Sequence, residues 1–286
     1  MWGALRILVP PEGQPHVIAA TALARYTDDL SDSGPVEGRA QRFDDWTAQV
    51  AKALDSGISG EWLIRAYLHS VDRLNLPRKW INLYMAGTRI DLDFPGFPQE
   101  TDYQRYVDTV ALPSFMLLAG PIPRVVPDQR FTSSARLMAD GTQRTDFLID
   151  LFEDLRDGRL TLPVSDLDRY GVSRADLRDG LDTPGVRALI SATASWARAS
   201  LVEGERILGD IAPGYRPLLR CLLGVFHKRL DDVDTRGTAI IRRPYRDEPL
   251  SCLRLMVRSR RMRGAAEASR KLTVGQPLPA AVPSFS

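Results

Sequence analysis

Two groups of aspartates carry spacings that could do chemistry. In Arg25-Tyr-Thr-Asp28-Asp29-Leu-Ser-Asp32, Asp28 and Asp32 stand four apart, which on a helix puts them on one face about a turn from each other. In Gln143-Arg-Thr-Asp146-Phe-Leu-Ile-Asp150-Leu-Phe-Glu153-Asp154, three aspartates recur at every fourth position. Like charges at that spacing cost an isolated helix a few tenths of a kcal/mol. A hard divalent cation would offset them, because Mg²⁺ takes one or two protein carboxylates and fills its shell with water and phosphate oxygens. The two stripes therefore suit Mg²⁺ bridging a diphosphate, although solvated faces paired with arginines remain open for either stripe alone. Other metal chemistry has little to work with. The three histidines (His16, His69, His227) form no HExxH pair, and Cys221 and Cys252 are too few for a disulfide framework or a zinc site.

The elements that must position these residues read as helices throughout. Helical periodicity predicts segments over Pro15–Leu30, Asp44–Leu54, Ser59–Leu74, Arg78–Arg89, Thr101–Leu118, Ser133–Leu155, Arg174–Leu181, Val186–Leu208, Arg216–Arg236 and Leu250–Lys271. Pro113 should kink or break the fifth of these, since proline removes a donor and clashes with the preceding turn. The stretch GRLTLPVSDLDRYGVS reads as a non-helical connector with Asp166 a capping candidate. No alternating run is long enough for a sheet. The expectation is an all-α single domain over 1–272 around a central cavity, followed by a Pro-rich tail over 273–286.

Composition narrows the functional classes. The 286 residues carry 38 Lys and Arg against 36 Asp and Glu, a net charge of +2, with 44% hydrophobic residues. Such a balance excludes bulk disorder and gives no electrostatic footprint for nucleic acid. Only four of the basic residues are lysine (Lys52, Lys79, Lys228, Lys271); codon usage in a GC-rich genome accounts for that skew more readily than phosphate binding does. There is no signal-peptide pattern and no apolar run of membrane-spanning length. A cytoplasmic location with at most peripheral membrane contact is expected.

Five blocks in order give the chain a resemblance: ARYTDDLSD, YMAGTRIDLD, the Tyr106 region, QRTDFLIDLFEDLRDGRLTLP with DLDRYGVS behind it, and VFHKRLDDVDTRG followed by IIRRPY. Together they resemble the squalene/phytoene synthase family of prenyltransferases, from about Leu8 to Leu255. The resemblance implies an isoprenoid synthase helical bundle. It implies Mg²⁺ ligands at Asp28, Asp32, Asp146, Asp150 and Asp154, with two or three ions. It also implies diphosphate contacts from Arg25 and Arg243, an outer role for Asp29, and a cavity tyrosine at Tyr106. Gln143 belongs to the same block as the second stripe.

The departures from that pattern carry information of their own. Ile149 stands where an arginine is expected and Asp146 where an asparagine is. Thr21 replaces a usual aromatic. A small-residue surface becomes Leu112-Pro113-Ser114-Phe115. The family's N-terminal phosphate-holding stretch has no counterpart. These changes remove diphosphate contacts and tail space. They favour the family's aromatic prenyltransferase branch, which joins a short allylic group, dimethylallyl, to a small acceptor such as a carbazole in secondary metabolism. Asp108 and Asp140 lie at normally uncharged positions, where either could meet such an acceptor. The alternatives are head-to-head condensation of two prenyl diphosphates, as in a phytoene or squalene synthase, and a non-catalytic subunit that keeps the fold. Retention of all five aspartates weighs against the last.

Overall fold

The computed structural model describes residues 2–32, 37–94, 96–248, 254–257 and 259. Among these there is no strand, only an isolated antiparallel bridge between Arg124 and Ile211. The all-α expectation holds.

The first four long helices form one half. Helices α2 (Gln14–Asp32), α3 (Arg39–Ser56), α4 (Trp62–Leu74) and α5 (Arg78–Asp91) follow a short α1 (Trp2–Leu8) that the periodicity reading misses. They bury Leu23, Trp46, Ile64, Tyr67, Ile81 and Tyr84 around a common core. The polar groups inside it are paired. Trp46 Nε1 donates to Thr27 Oγ1 at 2.9 Å, and His16 Nδ1 lies 2.9 Å from Ser70 Oγ, tying α2 to α4. Burial, then the neighbouring His69 and Arg73, lower the His16 pKa, so the imidazole stays neutral in the core.

The second half is built on α8 (Asp128–Ile149) and α12 (Pro184–Gly204). They approach closely at Gly141, where an added Cβ would lie 2.7 Å from Leu201 Cγ and 2.9 Å from its backbone nitrogen. Around this pair stand α9 (Leu151–Arg156), α10 (Val164–Tyr170), α11 (Arg174–Arg178), α13 (Ile207–Asp210) and α14 (Arg216–Arg236), over a core that includes Phe131, Met138, Leu148, Leu189 and Leu230.

Four local expectations are corrected. Pro113 neither kinks sharply nor breaks its helix: α6 (Glu100–Tyr106) runs into α7 (Leu112–Ala119) through a single π turn, Val107–Ala111. The Leu112 N–H reaches back to the Val107 carbonyl, so the wider turn accommodates the proline and its missing donor. The supposed connector contains α10. Pro163 precedes its first turn, Asp166 lies within that turn, and Gly171, at φ +62°, ends it, the Pro-before and Gly-after order that helix termini favour. The long helix through the second acidic stripe is interrupted at Asp150 (φ −92°, ψ −2°). Hydrogen bonds from the Glu153 and Asp154 N–H groups to the Asp150 carbonyl, both 2.9 Å, restart it at once, so the stripe keeps its facing. Similarly, the predicted Val186–Leu208 helix divides after Gly204. The predicted Leu250–Lys271 helix lies largely outside the described residues, with 254–257 and 259 helical, and the 273–286 tail lies wholly outside them.

Candidate active site

An apolar cavity of about 530 Å³ opens between α1, α2, α7 and α14, lined among others by Leu5, Val17, Thr21, Phe115, Leu222 and Phe226. Its wall is mostly hydrocarbon, with Thr21 and Cys221 the neutral polar members and Arg229 the charged one. Arg229 Nη1 donates to Asp146 Oδ1 at 2.9 Å, and Nη2 donates to Asp247 Oδ2 at 2.6 Å. One side chain on α14 thus joins the apolar cavity to the second acidic stripe.

The first stripe lies on α2, the helix that lends Val17 and Thr21 to the cavity wall. Val17, Thr21 and Asp28 share a face, because eleven and seven residues are close to whole numbers of helical turns, and Val17 and Thr21 both line the cavity. Asp28 is held there by α5: the buried Tyr84 hydroxyl donates to Asp28 Oδ1 at 2.7 Å and lies 2.9 Å from the Ala24 carbonyl. Burial, and then the Asp28 charge, push the Tyr84 pKa far up, so Tyr84 is a permanent donor to that carboxylate. Asp32 closes α2; its side chain lies outside the described residues.

Charge is crowded along the second stripe. Loss of water pushes the Asp146 pKa up to about 7 despite Arg229, with Asp150 and Asp247 adding repulsion. Asp150 is exposed at the surface of the break between α8 and α9. It is raised by partial burial and by Glu153, while Arg229 pulls it back. Asp154 is raised to about 6 by burial, against the pull of Arg159, whose Nε lies 3.8 Å away. Near it the Tyr106 hydroxyl donates to both Asp91 oxygens at 2.9 and 3.1 Å. Asp91, at the end of α5, and Tyr106 thus sit within electrostatic reach of Asp154 and Arg159.

Among the described residues, no group of three or more His, Cys, Asp or Glu side chains stands close enough to hold a metal ion together. Three of the carboxylates are restrained separately: Asp28 by Tyr84, Asp146 by Arg229 and Asp154 by Arg159.

Other expected site residues fall in varied places. Phe115 and Thr21 do line the cavity. Tyr106 is instead buried in an aromatic cluster with Phe94, Phe97 and Phe147, ring centroids 5.3–6.0 Å apart. Ile149 is buried in the core beside it. Arg25 is exposed and paired with Asp29 at 2.9 Å, so these two residues hold each other at the surface. Arg243 is exposed after the 3₁₀ turn Gly237–Ile241, and Gln143 is half-buried on α8. Asp108 and Asp140 are both committed to ion pairs, with Arg136 at 2.6 Å and Arg144 at 3.1 Å. That removes them as acceptor contacts in this conformation. Sequence reasoning misses Arg229, Tyr84, Asp91 and Asp247. Tyr84 and Asp91 stand in YMAGTRIDLD and Arg229 in VFHKRLDDVDTRG, so the blocks were legible while the partners were not.

Known proteins resemble the chain over most of its length. The chain is 30% identical over 237 residues to the "Bifunctional protein CrtB/UppS" of Streptomyces coelicolor, covering 82% of this chain but only 41% of that longer protein. It is 28% identical to the phytoene synthase of Thermus thermophilus over 81% of this chain and 79% of that one. A dehydrosqualene synthase structure superposes with a TM-score of 0.81 at 19% identity, covering 92% of this chain and 90% of that one. The squalene synthase HpnC of Alicyclobacillus acidocaldarius gives 0.74 at 22%, covering 85% and 89%. At those identities the two structures speak for the all-α isoprenoid synthase fold alone. The family described as squalene/phytoene synthase matches residues 4–254, and the chain belongs to that family of prenyl diphosphate-using transferases.

Proposed function

We propose that the chain is a Mg²⁺-dependent prenyltransferase that moves a short allylic group, dimethylallyl, from its diphosphate to a small aromatic acceptor such as a carbazole. The observation that carries this reading is the cavity. At about 530 Å³ it lies within the range of roughly 300–1,000 Å³ of pockets that enclose one drug-sized molecule. That suits a dimethylallyl group beside a small fused ring system better than two long polyprenyl tails. Ile149, buried where the family resemblance expects an arginine, adds to it, since one diphosphate needs fewer cations than two.

The residues fit a hard divalent cation. Every donor is a carboxylate oxygen, and burial first, with neighbouring carboxylates second, raises Asp146, Asp150 and Asp154, a cost to their charged forms that such an ion offsets. Two or three such ions would be shared between the stripes, with Asp28 and Asp32 on one side and Asp146, Asp150 and Asp154 on the other. When bound, Mg²⁺ would supply charge neutralisation of the departing diphosphate. The allylic carbon–oxygen bond breaks with its electron pair going to the diphosphate; an electron-rich ring carbon attacks the allylic carbon, and the ring proton leaves to the diphosphate or a carboxylate. Leu5, Val17, Phe115, Leu222 and Phe226 keep water from the carbocation. Arg229 stands at the only charged point of this wall.

Head-to-head condensation of two prenyl diphosphates is the second reading, and the comparisons favour it. The named relatives include phytoene synthases, and the matching structures are a dehydrosqualene and a squalene synthase. Acceptor dependence separates the two: release of pyrophosphate from dimethylallyl diphosphate should rise when an aromatic acceptor is added. Release unaffected by any acceptor, with hydrocarbon formed from a long prenyl diphosphate alone, would overturn the first reading in favour of the second.

A further inference from the structure

Arg229 has a position that neither acidic motif explains. It is the charged member of an otherwise apolar cavity wall, it is four-fifths buried, and it bridges two carboxylates from different parts of the chain. Asp146 comes from α8 and Asp247 from the segment after the 3₁₀ turn. Its charge also reaches Asp150. A hydrocarbon lying in the cavity has one place where an anionic head group can meet a fixed cation on that wall, and it is this guanidinium. Ile149, the position that lacks its arginine, lies on α8 one turn after Asp146 and packs into the core. The second stripe is therefore served by an arginine from α14 in place of one on α8.

We propose that Arg229 is the diphosphate-binding cation of this chain, standing in for the arginine absent at position 149 and held ready by Asp146 and Asp247 until substrate arrives. The inference rests on the prenyl-diphosphate reading of the site. A guanidinium suits the task because its planar fork can donate paired hydrogen bonds to phosphate oxygens, and its carboxylate partners can be exchanged for phosphate without moving the α14 backbone. Asp247 competes with the substrate for the same donors. Its side chain is more than a third exposed, so water can solvate it once released.

Binding of inorganic pyrophosphate in the presence of Mg²⁺, measured by titration calorimetry on the full chain, tests this apart from turnover. Arg229→Gln should weaken binding roughly 10- to 100-fold, the range for one lost charge-assisted contact, with Arg229→Lys intermediate. Asp247→Asn should tighten it several-fold by removing the competitor, an outcome that damage to the fold would not produce. Unchanged affinity in Arg229→Gln, or weaker binding in Asp247→Asn, would overturn the assignment while leaving the prenyltransferase reading intact. Failure of the unsubstituted protein to bind pyrophosphate with or without Mg²⁺ would overturn both.

Discussion

At the scale of single residues, the proposed function rests on carboxylates that have separate partners: Tyr84 for Asp28, Arg229 for Asp146 and Arg159 for Asp154. Asp28→Ala and Asp150→Ala should each lower kcat with an allylic diphosphate by roughly 10²-fold or more, in line with the loss of one preorganised electrostatic group. Steady-state kinetics over a range of Mg²⁺ concentrations checks this, and unchanged turnover in both variants would overturn the catalytic assignment of the two stripes. Tyr84 acts one step behind: its hydroxyl orients Asp28 at 2.7 Å. Tyr84→Phe should raise the Mg²⁺ concentration needed for half-maximal rate by roughly 10-fold, as loss of a hydrogen bond to a metal-binding carboxylate typically does, while saturating Mg²⁺ restores much of kcat. A purely structural tyrosine would give no such rescue. The acidic stripes were legible because aspartates four apart in apolar surroundings violate helix electrostatics. Tyr84 and Arg229 were not, because a buried tyrosine and one arginine among many carry no periodic signature; only the folded chain shows which carboxylates they meet.

At the scale of elements, close helix approaches set where those side chains stand. Helix α5 carries Tyr84 and Asp91 and packs at Gly87 against the π turn between α6 and α7, where an added Cβ would lie 2.6 Å from the Thr109 carbonyl oxygen. That carbonyl is the one four residues before Pro113, which has no N–H to offer it. Gly87→Ala must push α5 or the π turn aside, and thermal unfolding should show a loss of roughly 1–3 kcal/mol, as overpacking does. An unchanged melting temperature would mean that this contact gives way freely. The long helices were readable from period and caps, while the short α1 and α10 were not. The π turn was not, since Pro113 signals only that a regular α-helix cannot continue, and the choice between a break and a wider turn is made by the packing of α5. The aromatic cluster around Tyr106 escaped for a related reason: Phe94 and Phe97 lie in a loop, where no periodicity points them inward.

At the scale of the whole molecule, the near-balance of 38 basic and 36 acidic residues conceals a local excess of negative charge beside an apolar cavity. The carboxyls of Asp146, at about 7, and Asp154, at about 6, together with the raised Asp150, bind protons more tightly folded than at their ordinary 3.8. Between about pH 4 and 7 the folded state therefore holds more protons than the unfolded one through these groups, and their contribution to stability is lost as pH rises. His16, lowered by burial, works in the opposite sense below pH 6.5 but is one group against three. Metal-free protein should melt at a lower temperature at pH 8 than at pH 5.5, and Mg²⁺ with pyrophosphate should narrow that gap; a melting temperature that climbs with pH would contradict the crowded site. Among the described residues no helix is long and apolar enough to cross a membrane. The most direct test offers the protein labelled dimethylallyl diphosphate, farnesyl diphosphate and geranylgeranyl diphosphate with Mg²⁺, with and without a carbazole, and identifies the products by mass spectrometry. The account predicts a prenylated carbazole that requires dimethylallyl diphosphate and the acceptor together. Phytoene, squalene or a dehydrosqualene formed without acceptor, and no prenylated carbazole, would contradict it.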